Sequence, residues 1–383
     1  MKKMFVEVFI LLIVGLVLLT ACGQQLQVAQ PTQPPPTVQP TSPPPATPRP
    51  AADIAAEIDV FLNKLAKNGL FSGNVLVARN GEIIFHKAYG LADRDKQRPI
   101  TNQTRFYLAS LTKQFTAAAI MLLEQEGKLK VQDSVCQYLP HCPDDWKPIT
   151  IHHLLTHTAG LPYAPGLPYS KPVSPAELRA AIERVPLLRE SGKLFEYSDV
   201  GYILAGLTIE QVSGQPYGEF LEEHIFGPIG MSNTGYGDGG EQLAVGYATT
   251  SIKAARFEPT VDHGAGGVYS TAEDLLKWDQ ALYTDTPLVA ANRECMFTPY
   301  TVAITFGPDI EYGYGWFITG EQEYQVISHG GTAPGFQTEL ARHINDHITV
   351  IVLANLEASS SADITERILS IIFGTRPGMF RTP

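Results

Sequence analysis

Charge is scarce in this chain of 383 residues: 17% are Asp, Glu, Lys or Arg, and the formal net charge is -11. No stripe of Lys and Arg interrupts that acidic balance, so a phosphate backbone, which demands clustered cations, is not an expected partner. Cysteine is nearly absent, at four residues, too few for a disulfide scaffold. No internal repeat is found, which removes solenoids and propellers. No Gly-x-Ser-x-Gly surrounds any serine, which counts against the nucleophile elbow of an α/β-hydrolase. His153 and His157 stand at i, i+4, but no glutamate follows the first histidine as a zinc-protease helix requires. We assign this pair to structural hydrogen bonds; the rival is a zinc hydrolase built on His152, His153 and His157. With 44% hydrophobic residues, the chain can still bury a large core, and one globular unit with subdomains is expected.

The first residues have the layout of an export signal. Lys2 and Lys3 precede the apolar run "FILLIVGLVLL", and small residues lead to Cys22. The run is short for a bilayer span, so residues 1–21 read as a lipoprotein signal cleaved before a lipidated Cys22, with an uncleaved anchor as the alternative. Residues 22–52 follow with "QPTQPPPTVQPTSPPPATPRP", which has no aromatic residue and cannot bury a core; it reads as an extended spacer from the membrane. Export agrees with Cys136 and Cys142 flanking the short loop "CQYLPHC". A disulfide is expected there, since a metal site with His141 lacks a fourth ligand. Cys295 is left as a buried free thiol.

The folded domain is placed at 53–375, with a polar tail at 376–383. Asp53 is a candidate N-cap for an amphipathic helix that turns Ile54, Ile58 and Leu65 inward. In "GNVLVARNGEIIFHKAYG", two β-rich runs meet at Asn80-Gly81, a hairpin signal because both turn positions favour positive φ. The region from about 101 to 250 is helix-rich. Strand patterns return in "EYGYGWFIT", "YQVISHGG", "GFQTELARHI" and "ITVIVLAN", before a last amphipathic helix from Ala362 to Phe373. Strands from both ends with helices between them predict an α+β fold: one antiparallel sheet flanked by helices, with an inserted helical subdomain.

"YLASLTKQFTAAAIMLLEQEGKL" carries a chemical signal. Its apolar residues recur at helical spacing, and Ser110 and Lys113 share one face at its start. A lysine on an inner face is costly unless something uses it. Here it can serve a serine nucleophile, while the helix start offers N–H groups to an oxyanion. Alone, Ser-x-x-Lys is weak evidence.

Together with "FEYSDVGYILAG" and "ISHGGTAPGF", this segment resembles the Ser-x-x-Lys, Tyr-x-Asn and Lys/His-x-Gly elements of the class C β-lactamase family, which includes penicillin-binding proteins, D-alanyl-D-alanine carboxypeptidases, D-aminopeptidases and esterases. "ITIHHLLTHTAGLP", "FGPIGMSNT" and "GAGGVYSTAEDLLKW" extend the resemblance from roughly 71 to 355. It implies Ser110 as the acylated nucleophile, Lys113 as its proton partner and Tyr197 as base and acid. It also implies His329, Gly330 and Gly331 lining an edge strand beside substrate, and backbone N–H groups of Ser110 and Thr332 as the oxyanion hole. The plain alternatives are a core tyrosine, a surface histidine and a simple glycine turn.

Two departures stand out. Asp199 occupies the asparagine position; an ionised aspartate cannot donate an amide N–H, and beside Lys113 it favours the ammonium, which would stabilise a Tyr197 phenolate. It is also a candidate helix N-cap. His-Gly-Gly replaces Lys-Thr-Gly, removing two grips on a β-lactam carboxylate. The expectation is an exported serine hydrolase, without metal or organic cofactor, acting on esters, D-amino-acid peptides such as peptidoglycan stem peptides, or β-lactams, in falling order. The membrane is reached through the lipid anchor, and nucleic acid is not a partner. The rival of another class is a non-catalytic wall-binding lipoprotein.

Overall fold

A computed structural model describes residues 49–320, 324–375 and 382. The signal, Cys22 and nearly all of the spacer and tail lie outside the described residues.

The first helix, α1 (Ala51–Lys67), starts earlier than Asp53 because Pro50, at φ -56°, serves as the N-cap. Its carbonyl accepts from the N–H groups of Asp53 and Ile54, and Asp53 instead places its charge in the first turn, where the helix dipole favours it. The hairpin of β1 (Gly73–Arg79) and β2 (Glu82–Tyr89) turns at Asn80 and Gly81, both with positive φ. The remaining main strands are β3 (Thr301–Val302), β4 (Glu311–Tyr312), β5 (Phe317–Thr319), β6 (Val326–Ala333), β7 (Phe336–His343) and β8 (Ile348–Ala354). They form one antiparallel sheet in the order β2-β1-β8-β7-β6-β5-β4-β3.

The strands alternate between two apolar faces, as a period of two requires when both sides are covered. Ile348, Val350 and Val352 of β8 pack with Val75 and Val77 beneath α1 and the C-terminal helix Ser361–Phe373. Ile351, Leu353 and Leu76 face the helical half of the chain. The helices α2 (Thr112–Gln125) and α3 (Asp199–Ser213) run through that half; every residue of α3 from Asp199 to Ile209 is buried. The insertion is longer than 101–250. Helices continue through Ala272–Ala281 and Ala290–Met296, and a small sheet pairs Phe106–Tyr107 and Gly235–Tyr236 with Val268–Ser270. Short strands next to Gly267 carry too little periodicity to be read from sequence.

Cys136 and Cys142 are joined in a disulfide. Cys295 is half-buried rather than buried.

Candidate active site

Ser110 does not open the α-helix. It lies in a single turn, Ala109–Leu111, and α2 begins at Thr112. Ala109 carries φ +49°, an uncommon conformation for a side chain with a Cβ, of the kind a surrounding structure must impose. The turn places Ser110 above Lys113. The Lys113 ammonium is fully buried and donates to three oxygens: Ser110 Oγ at 3.0 Å, Asp199 Oδ1 at 2.6 Å and the Ala265 carbonyl at 3.1 Å. Three protons meet three acceptors, which suits a charged lysine.

Ser198, not Asp199, is the N-cap of α3; its hydroxyl accepts from Gly201 N. Asp199 is thereby free to turn its carboxylate to Lys113. Half-buried Tyr197, two residues earlier, interacts with the Ser110 hydroxyl, and Lys113 Nζ lies 4.9 Å from its ring centroid. The phenol is pushed well above its ordinary pKa, by burial and by the Asp199 charge, with the Ser110 contact only partly offsetting them. This corrects the expected phenolate: the aspartate drawn in by Lys113 brings negative charge beside the ring, and the resting phenol keeps its proton.

Strand β6 is internal to the sheet, yet it presents an edge. Its pairing with β5 ends at Ser328, so His329 to Ala333 run past the end of that neighbour. Gly331 makes the approach to the nucleophile possible: a Cβ there would stand 2.1 Å from the Leu108 carbonyl oxygen and 3.0 Å from Ser110 N. Thr338 Oγ1 donates to that same carbonyl at 2.8 Å, tying β7 to the turn. Gly330 precedes this contact, and exposed Thr332 is the next residue along the edge.

His329 is not a cleft-lining group. It is 2% exposed and belongs to a buried chain of hydrogen bonds. Ser198 N–H can only donate, so His157 Nδ1 accepts from it at 3.1 Å and Nε2 carries the ring proton. That proton points to Tyr312 Oη at 3.2 Å; Tyr312 donates in turn to His329 Nε2 at 3.1 Å, and His329 Nδ1 donates to the Gly330 carbonyl at 2.6 Å. His157 stacks on Tyr197 with centroids 4.2 Å apart, so the chain links the floor under the phenol to the edge strand. Nothing in the sequence singles out Tyr312, and His157 reads there as a structural hydrogen-bonder or, in the rival reading, as a zinc ligand.

Burial and the nearby Lys113 charge hold both imidazoles neutral: His157 falls well below its ordinary value and His329 to about 3. Between about pH 3 and the unfolded value near 6.5, the unfolded chain therefore binds more protons than the folded one. This part of the stability is complete above about pH 6.5 and is lost as pH falls toward 3. We expect the melting temperature to drop from pH 7 to 4 and His329→Gln to flatten that slope, as read by calorimetry; an unchanged slope in the variant would contradict the assignment.

The other histidines have separate tasks. His153 Nδ1 accepts from Thr150 N in a capping box, and His152 Nδ1 pairs with Tyr314 Oη. Among the described residues, no group of three or more His, Cys, Asp or Glu is arranged to hold a metal.

The family model described as Beta-lactamase matches residues 58–371. Penicillin-binding protein 4* of Bacillus subtilis is 33% identical over 346 residues, covering 83% of this chain and 76% of that one. Among solved structures, the octameric penicillin-binding protein homologue from Pyrococcus abyssi superposes with a TM-score of 0.76 at 25% identity, over 85% of this chain and 79% of that one. The penicillin-binding protein from Bacillus halodurans gives 0.72 at 28%, over 81% and 98%. With the antiparallel sheet, the inserted helices and the Ser110–Lys113–Tyr197 grouping already in place, these matches show that the chain belongs to the β-lactamase family of serine hydrolases.

Proposed function

We propose that the protein hydrolyses esters and D-amino-acid peptides through an acyl-enzyme on Ser110, with β-lactams as poor substrates. The observation that carries this reading is the charge arrangement. The Lys113 ammonium is occupied by Ser110, Asp199 and Ala265, and His329 is neutral and turned inward. Neither basic group of the three motifs is available to grip a substrate carboxylate, so esters, which need no such grip, stand first in the order.

The chemistry follows from the resting protonation states. Ser110 Oγ attacks the carbonyl carbon as its proton passes to the Tyr197 oxygen, while the Tyr197 proton passes to the leaving alkoxide or amine. One proton thus travels from serine to leaving group, and no free phenolate is required. Lys113 stabilises the negative charge that develops on Ser110 Oγ. The N–H groups of Ser110 and Thr332 receive the carbonyl oxygen, each donor contributing about 3 kcal/mol in the transition state. Deacylation reverses the path: water gives its proton to Tyr197, which returns one to Ser110.

Residues 1–52 add an address. The charged start, the apolar run, Cys22 and the proline-rich spacer support an exported lipoprotein whose domain stands off the membrane and reaches wall peptides. A panel of a short-chain aryl ester, a D-Ala-D-Ala peptide and a chromogenic cephalosporin tests the substrate order. We expect turnover to fall in that order, and rapid cephalosporin hydrolysis would overturn it.

A further inference from the structure

Two aromatic rings stand open to solvent beside the catalytic phenol. Phe306 is 43% exposed, with its ring centroid 5.7 Å from that of Tyr197; Tyr163 is 60% exposed, with its centroid 6.2 Å away. Among the described residues three aromatic side chains are exposed, Tyr163, Phe306 and Tyr324, and two of the three border this one phenol. Aromatic surface left in water beside a reactive group marks a place where something apolar is taken up.

Both rings are held by backbone ties. Phe306 lies in the turn between β3 and β4, closed by Ala303 N–H to the Ile310 carbonyl at 2.7 Å and by Phe306 N–H to the Ala303 carbonyl at 2.8 Å. Its inner side packs on Phe317 and Phe195, with centroids 4.8 and 6.2 Å away. Tyr163 is fixed to the start of α3: its carbonyl accepts from Asp199 N–H at 2.8 Å, and the Pro162 carbonyl accepts from Ser198 Oγ at 2.6 Å. Rings fixed in advance lose little freedom when a ligand arrives.

The chemistry decides which part of the substrate meets them. Buried His157 already covers one face of the Tyr197 ring, so the open rings border what remains of this half-buried side chain. Tyr197 gives its proton to the leaving atom, which must therefore come within about 3 Å of the phenol oxygen. The group carried on that atom starts at the phenol, whereas the acyl group follows the β6 edge past Thr332. The walls offer little charge: Asp199 is taken by Lys113, and the turn 303–310 holds a single ionisable residue, exposed Asp309.

We infer that Phe306 and Tyr163 form a leaving-group subsite for an apolar ring, so that among esters of one acid those of arylalkyl alcohols are favoured over those of small alcohols. The proposal rests on the Ser110 acyl-enzyme reading and deepens it by naming the alcohol.

The test uses the full-length chain with benzyl acetate and allyl acetate. The two share their acyl group, so deacylation is common to both and only acylation can carry a preference; their alcohols are of similar acidity, so the bond broken is alike. Wild type is expected to favour the benzyl ester by about tenfold in kcat/KM, the scale of covering the extra ring carbons between two aromatic side chains. Phe306→Ala and Tyr163→Ala should each lower that ratio about fivefold, the scale of one aromatic pair, and Phe306→Leu, which keeps apolar bulk, should fall between. Ile83→Ser removes an exposed apolar side chain on β2, at the opposite edge of the sheet, and should keep the wild-type ratio. With Ser110 still labelled by a fluorophosphonate, the subsite is overturned by a wild-type ratio near one, by no turnover of benzyl acetate, by an unchanged ratio in either alanine variant, or by an equal fall in Ile83→Ser. No turnover of either ester together with an unlabelled Ser110 overturns the hydrolase reading, and the subsite falls with it.

Discussion

Lys113→Met should destabilise the fold and abolish activity together, and a second substitution should separate the two effects. The ammonium and the Asp199 carboxylate are almost fully shielded from water, 2.6 Å apart. Removing one partner of such a pair leaves an uncompensated buried charge, at a cost of about 3–5 kcal/mol. Asp199 retains no other cation, so the loss should be near the top of that range. Activity should fall on the order of 10³-fold, because Ser110 Oγ loses the charge that stabilises it during attack. In Lys113→Met/Asp199→Asn no buried charge is stranded. We expect most of the stability to return, by chemical denaturation, while turnover of an aryl ester stays at the level of the single variant. Recovery of activity with stability would show that the lysine is a structural group, and the assignment of Lys113 to the chemistry would fail.

That experiment bears on the residue whose presence in the sequence was hardest to explain by packing alone. Lys113 was legible because a cation inside an apolar helical pattern has to be used, and Ser110 three residues before it was the natural user. The hairpin at Asn80-Gly81 was legible because turn chemistry is local, as were the long strands β6 to β8 with their alternating faces. What escaped was set by tertiary contact. Asp199 read equally as a cap and as a partner for lysine; only the fold shows Ser198 taking the cap and releasing the aspartate. The direction of the Tyr197 shift depended on whether lysine or aspartate faced the phenol, which no spacing encodes. His329 read as a cleft residue because its strand carries the motif, but the pleat turns its ring inward onto Tyr312.

The edge at β6 shows the same division. His-Gly-Gly suggested a close approach of backbone to substrate, and the glycine at 331 is indeed where a side chain would collide with the Leu108 carbonyl. The sequence could not reveal that β5 would begin only at Phe317, opposite Ser328, the feature that leaves the rest of an otherwise internal strand with an open edge.

Ser110→Ala carries the largest expected effect on catalysis. No neighbouring group can replace the hydroxyl: Tyr197 holds its proton, Lys113 is an engaged ammonium and His329 is turned away. Loss of a nucleophile leaves only binding and oxyanion contacts, so turnover should fall on the order of 10⁴-fold or more. The substitution removes a single half-buried hydroxyl and should leave the fold intact. The most direct measurement is intact mass after incubation with a fluorophosphonate, followed by peptide mapping. The account predicts a single adduct on Ser110 in the wild-type chain and none in Ser110→Ala. A folded wild-type protein that takes no adduct, or takes it on another serine, would contradict the claim that Ser110, Lys113 and Tyr197 form a working acyl-transfer site.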